Sequence, residues 1–488
     1  MSRFISIPFQ WHIQNAWQVA RIASIALLIA GWVSTAQALP FAEARHLLAR
    51  TGFGQPTPQD ITALMPLSRD QAIDSLIAAV HTTPQTPWPH WLDTPLPSLQ
   101  ARRDMTPKDK KAFQARLRAQ GQDAKLWWIQ EMVRTPSPLT EKLVLMWHGH
   151  FTSSLKKVKF PHAMLRQNHL FRTMALGNFS DLLQAITRDP AMLMYLDGAK
   201  NKSKAPNENY ARELLELFTL GEGQYTENDI KNVARALTGL SIDPNTGQFM
   251  MRRRIHDHGQ KTIFQQTGSF HDTDVIALLA KHPALPTHIA TLYWRTFIST
   301  TPDPAEIARL SQNFAQSGLN LKTLLRDTLS SPAFWDAENR GNMIKSPVDI
   351  VIGTLRLWPA VLRKMPETQI SRLPRILQGL GQDLLDPPNV KGWKAGESWI
   401  TSNTLMQRQM FLQRISRGME LAITPLGTQA DNHMPRTMAM HPTPIPMDAR
   451  PDVRAVAALL LPIAPVDVTI TARTPMRDLL LDPAFQLK

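Results

Sequence analysis

Apolar residues recur at three-and-four spacing through almost the whole of this 488-residue chain, and several runs open on Ser, Thr or Asp followed by Pro. That spacing lines up one face of a helix, and a capping side chain with Pro at the first helical position starts one. "FAEARHLLARTGFG" predicts a short helix ended by Gly52 and Gly54. "TPQDITALMPL" and "SRDQAIDSLIAAV" predict two more, the second capped by Ser68 with Ile73, Leu76, Ile77 and Val80 in register. In "SPLTEKLVLMWHGHF", Ser137 is the expected cap ahead of Pro138. "DLLQAITRDPAM", "TLLRDTLSSPAF" and "PMRDLLLDPAFQ" share an apolar helix, then Asp or Ser, Pro, Ala and a large apolar residue. This is one corner chemistry used three times, since the spacings are too unequal for a solenoid. Strand signals are few, with "DVTIT" (467–471) the clearest and "GQFMMRRRI" a hairpin edge. The expected fold is mainly α, a multi-helical bundle of two or more packed subdomains with few short strands.

The first 38 residues stand apart. Arg21, an apolar run from Ile22 to Val33 and Ala36-Gln37-Ala38 have the layout of a secretory signal peptide. The run is shorter than the roughly 20 residues of a spanning helix. The expected organisation is therefore a signal peptide at 1–38 and a helical domain at 39–424. The domain divides into an N-terminal group at 39–98, closed by the Pro-rich connector "HTTPQTPWPHWLDTPLPS", and central and C-terminal parts at 99–424. A Met- and Pro-rich linker at 425–453 and a C-terminal segment at 454–488 packing back on the domain complete it.

The chain has no Cys, which excludes disulfides, thiolate nucleophiles and zinc–thiolate sites. Any metal would be held by His, Asp, Glu or amide oxygen. Formal net charge is +14, and +12 once Arg3 and Arg21 leave with the signal peptide. Outside the cytoplasm such a charge suits anionic polysaccharide, lipid headgroups or wall polymers, and export argues against nucleic acid.

Four stretches carry polar residues suited to chemistry. In "APNENYARELLELFTLGEG", Glu208, Asn209, Arg212, Glu213 and Glu216 fall in one sector at about 100° per residue, with Asn207 as cap. In "MWHGHF", His148 and His150 would share a side on extended backbone and diverge on a continuous helix. "RRRIHDHGQK" places His256 beside Asp257, with Lys261 following, an arrangement that can orient a ligand or a base. "LGQDLLDPPNVKGWKAGESW" sets Trp393 and Trp399 on a Gly-rich loop, to stack on sugar rings or to plug an apolar seam.

These stretches, with "HLLARTGFG", "EKLVLMWHGHF", the long string "LGNFSDLLQAITRDPAMLMYLDGAKNKSKAPNENYARELLELFTLGEGQYTENDIKNVARALTG", "HDHGQK" and "KSPVDIVIGTLR", occur in the order of the bacterial family DUF1800, which the chain resembles from about Phe41 to its end. Gly149 stands where the family pattern usually has Asn, and "TIFQQTG" where it has Leu-Gly. The resemblance implies export and an exported partner similar to the alkaline phosphatase and sulfatase group. It supplies no reaction.

The functional expectation is a hydrolase-like enzyme, with a divalent metal ion as its candidate cofactor, acting on an anionic or carbohydrate envelope polymer. Its cast would be Glu208, Glu213 and Asp257 as catalytic groups. Asn207, Asn209, Arg212, Lys261 and Trp393 would hold substrate, and His148, His150 and His256 the metal. The alternative is a non-catalytic envelope binder or secretion partner with a basic surface. The two differ in whether these side chains line one cavity.

Overall fold

A computed structural model of the chain describes residues 38–359, 363, 365–423, 452–466 and 475–488. The strand expected at 467–471 and almost all of the expected signal peptide and linker lie outside the described residues. No described helix is long and apolar enough to cross a membrane.

The architecture is mainly α. The N-terminal group is α1 (Phe41–Thr51), α2 (Pro58–Leu64) and α3 (Arg69–Ala78). Thr57 caps α2, and Ser68 with Gln71 forms a reciprocal capping box on α3, each satisfying an otherwise orphaned first-turn N–H. The connector that follows is pinned by its aromatics. Trp88 stacks on Trp127 at 4.2 Å, and the Trp91 indole donates to Asp123 at 2.6 Å. The chain then passes through α4 (Leu99–Arg103) into the 28-residue α5 (Pro107–Arg134).

The next helix, α6 (Pro138–His150), is the hub, buried on every side, polar residues included. Ser137 does not cap it as expected: no main-chain N–H reaches the hydroxyl, which instead accepts from the Thr140 hydroxyl at 3.1 Å. Buried Glu141 accepts two bonds from Arg172 and a third from the Trp128 indole. Short α7 (Leu155–Val158), α8 (Pro161–Met174), α9 (Phe179–Thr187) and α10 (Pro190–Tyr195) wrap this hub.

α11 (Glu208–Glu213) runs directly into a π-helix, Leu214–Leu220, which stops at Gly221 with φ +85°. The wider winding departs from the 100° step of a regular helix. α12 (Glu227–Ala236) opens on the Thr226–Asp229 capping box. Two hairpins follow, β1 (Leu240–Ile242) with β2 (Phe249–Met251) and β3 (Lys261–Ile263) with β4 (Gln266–Gly268). The first contains the hairpin edge read from the sequence.

The rest of the bundle comprises α13 (Asp272–Ala280), α14 (Ala284–Phe297), α15 (Pro304–Gln316), α16 (Leu321–Ser330), α17 (Pro332–Trp335) and α18 (Pro347–Leu357). After these come α19 (Glu367–Ile370), α20 (Leu373–Gly379), α21 (Ser402–Ile423), α22 (Val453–Leu460) and α23 (Pro475–Leu481). The three repeated corners share one backbone conformation, φ/ψ −68/129° at Asp189, −59/136° at Ser331 and −60/138° at Asp482. One continuous set of buried apolar residues runs from Leu39 to Phe485 and includes Leu47 and Ile73 of the N-terminal group.

Candidate functional site

The acidic corner at 207–227 folds as a self-satisfied helix start. The Asn207 side chain accepts from the Asn209 N–H at 3.0 Å, while Asn209 Nδ2 donates to the Leu196 carbonyl at 3.0 Å. Arg212 forks onto Glu227 with two bonds of 2.9 Å and lies 3.6 Å from Glu208. Glu216 accepts from the Tyr225 hydroxyl at 2.9 Å. Glu213 differs: among the described residues it has no hydrogen bond or ion pair. Burial, and then Glu216, push its carboxyl above the usual range.

His148 and His150 diverge because α6 stays helical to its last residue. His148 enters an aromatic box with Trp128, Phe171 and Trp393, its ring 5.6 Å from that of Trp393, and burial lowers its pKa to about 4. His150 points the other way, toward the Phe218 carbonyl at 3.0 Å, and burial lowers its pKa to about 3. Trp393 is the plug over the end of α6 rather than an exposed stacking platform. The loop carrying it approaches so closely that a Cβ on Gly392 would fall 2.4 Å from the Gly149 carbonyl oxygen.

His256, Asp257 and Lys261 form a separate knot. His256 Nδ1–H donates to the Thr238 carbonyl at 2.8 Å, and its ring stacks on His271 at 4.4 Å. Asp257 accepts a forked pair from Arg235 at 2.7 and 3.2 Å, which holds its carboxyl below the usual range. Lys261 is buried and donates to the carbonyls of Asp257 and Gly259 at 2.6 and 2.9 Å, so it fastens its own loop instead of presenting a cation to solvent. The proposed metal set of His148, His150 and His256 is thus divided among an aromatic box and two different carbonyls. Among the described residues no three His, Asp or Glu side chains gather in a metal-holding group.

What the fold does gather is positive charge. Between Leu99 and Gln120 stand seven Lys or Arg and two Asp, and between Leu155 and Arg166 four cations and no acid. The two tracts meet twice. A cleft of about 780 Å³ is lined by Arg102 from the first tract and by His162 and Arg166 from the second, with Arg188, Asp189 and Phe249 opposite. A second cavity, about 460 Å³, brings Arg118 of α5 to Lys156 and Lys159 of α7.

Some of these cations are spent locally. Lys156 lies 3.5 Å from Asp386, Lys157 2.8 Å from Asp197 and Arg188 2.7 Å from Asp272. Among the described residues no ion pair involves Arg118, Lys159 or Arg166, and all three are exposed. Buried Lys125 pairs with Asp383 and, at 3.7 Å, with Asp386, which anchors the loop behind them.

Asp189, the N-cap of α10, is the residue that motif reading passed over. Its Oδ1 accepts from the Met192 N–H at 2.8 Å and from Gln167 Nε2 at 2.7 Å, yet burial still pushes its carboxyl up to about 7. In the sequence it is one of three look-alike helix starts. Its acid sets it apart from Ser331, and Arg188 before it and Met192 after it set it apart from Asp482.

No curated protein and no solved structure matches the chain. The family DUF1800, described as a protein of unknown function, matches residues 46–480, nearly the whole length and every candidate site residue from His148 to Trp393. The chain belongs to the DUF1800 family.

Proposed function

We propose that the protein binds an anionic polymer of the cell envelope along the basic ridge formed by α4, α5, α7 and the start of α8. One observation carries this reading: two cation-rich tracts, distant in sequence, converge on two adjoining cavities, with Arg118, Lys159 and Arg166 exposed. Long-range attraction to a polyanion scales with such a patch and is screened by salt. Export of the chain, read from its first 38 residues, would place it beside polymers of that charge.

The test is binding of the purified chain to a sulfated and to a carboxylated polysaccharide, heparin and polygalacturonate, across a salt series. Combined Arg118→Glu, Lys159→Glu and Arg166→Glu should weaken binding at least tenfold and flatten its salt dependence. Reversal of Lys281 and Lys322, away from the ridge, should change it little. Equal loss from both sets would refute a localised site.

The position of Asp189 favours a second reading, hydrolysis within the larger cleft. A carboxyl that retains its proton near neutrality can act as a general acid toward a bound anionic chain. New reducing ends from polygalacturonate, abolished by Asp189→Asn with binding intact, would support it. Binding without any cleavage would leave only the binder.

A further inference from the structure

Six buried cations, five of them around one carboxylate, gather where α1, α6, α18 and α21 meet. Arg45, Arg50, Lys142, Lys345, Arg408 and Lys488 are all buried. Among the described residues Asp349 is the only carboxylate within ion-pair reach of any of them, at 3.4 Å from Lys142 and 2.5 Å from Lys488. Its charge acts on Arg50, Lys345 and Arg408 as well, so these groups share one neighbourhood.

Part of the set is satisfied. Arg45 donates to the carbonyls of Leu459 and Leu460, and Lys345 Nζ to Gln55 Oε1 at 3.2 Å, over the face of Phe485. Lys142 and Lys488 pair with Asp349, and Arg50 Nη2 donates to the Asn339 carbonyl and, at 2.6 Å, to Asn342 Oδ1. Other donors have no partner. Nε and Nη1 of Arg50, Nε and Nη2 of Arg408 and Nε2 of Gln486 are buried without a hydrogen-bond partner. Two of these side chains are tied together, because Arg408 Nη1 donates to Gln486 Oε1 at 3.1 Å. Lys345 joins them through its main-chain N–H, which donates to the Gln486 carbonyl at 2.7 Å.

Burying charge without a partner is costly, and a lysine can escape by releasing its proton. Burial does push the pKa of Lys345 and Lys488 down. Arginine has no such escape, since it stays charged in any protein environment, and the orphaned charged donors here belong to arginines. Forked guanidinium donors fit the oxygens of a tetrahedral anion.

We propose that this cluster binds a small inorganic oxyanion, phosphate or sulfate, with Arg408 and Arg50 donating to its oxygens and balancing its charge and Gln486 supplying an amide donor. The site is separate from the surface ridge and independent of its role. Enclosed in the core, the ion would act as a structural element that exchanges slowly.

The full chain in chloride buffer would be unfolded thermally against added inorganic phosphate or sulfate, with chloride matching ionic strength. The expected result is an upward shift in Tm that saturates, since a ligand bound only by the folded state stabilises by mass action. The non-specific effect of such salts rises without saturating. Arg408→Met should lose the saturable shift, and in anion-free buffer should unfold no lower than the parent. Ion chromatography of protein prepared in phosphate, desalted and then denatured should release about one phosphate per chain. This measurement decides the matter even if the variant does not fold. A Tm indifferent to both anions, together with no anion released, would overturn the proposal.

Discussion

The Nε2–H of His150 donates to the main-chain carbonyl of Phe218 at 3.0 Å, tying the end of α6 to the last turn of the π-helix. His288 does the same for the Leu217 carbonyl at 2.8 Å, and the two rings lie 5.9 Å apart. The last carbonyls of a helix have no partner within it, so two imidazoles from distant helices complete this one. Burial lowers the pKa of both, which keeps them as neutral donors.

His150→Ala should therefore act on stability. Leaving a buried carbonyl unpaired and opening a gap costs about 1–3 kcal/mol, readable as a lower urea midpoint with an unchanged slope. Metal content of the purified protein should be the same in variant and parent. A fall in bound metal would return His150 to the role of a ligand.

Glu141 and Arg172 form a fully buried ion pair with Trp128 donating to the same carboxylate at 2.9 Å. Removing one charge strands the other, so Glu141→Gln should cost about 3–5 kcal/mol in chemical denaturation. Glu141→Leu combined with Arg172→Met should recover most of that loss. A double variant as unstable as the single one would mean that the pair itself contributes net stability.

Asp189 sets a pH dependence whose sign follows from its raised pKa. Between the unfolded value near 4 and the folded value of about 7, the folded chain holds a proton that the unfolded chain has released. Its contribution is complete below pH 4 and is lost as pH rises toward 7. Asp189→Asn, which keeps a capping side chain, should gain stability relative to the parent across this window, by a few kcal/mol at its upper end. Parallel stability curves for the two proteins from pH 4 to 7 would show that the group titrates normally.

Gly392→Ala should disrupt the plug over α6. The residue has φ +76°, and an added Cβ would sit 2.4 Å from the Gly149 carbonyl oxygen. The dihedral alone costs about 1–3 kcal/mol for a non-glycine residue, and the backbone contact adds to it. Reduced stability and an altered environment for Trp393, followed by fluorescence, are the expected result. Gly223→Ala is the control, because its φ of +80° is similar but its added Cβ meets nothing within 4 Å.

Much of the architecture was legible because its signals are local. Ser68, Asn207 and Thr226 cap the helices that their neighbours predict, and the repeated Asp-Pro-Ala corners recur with one backbone geometry. A cap needs only a side-chain oxygen two or three residues from a free N–H, so short spacing suffices to read it. Ser137 failed by the same logic: Thr140 nearby competes for its hydroxyl. The helical wheel from Glu208 to Glu216 kept its polar residues on the open side, with Tyr210, Ala211, Leu214, Leu215 and Phe218 buried, although a π-helix replaces the regular winding from Leu214.

The sequence by itself determined the family, the helical class, the absence of any thiol chemistry and the excess of positive charge. Each of these follows from composition or from contacts within a few residues. Tertiary structure alone decided what the polar residues do. It turned His150 toward a carbonyl 68 residues away, closed Lys261 onto its own loop and forked Arg212 onto Glu227. It also raised Asp189 within a cleft and gathered five cations around Asp349. Those outcomes depend on burial and on partners from distant segments, and neither desolvation nor a long-range hydrogen bond leaves a mark in local spacing.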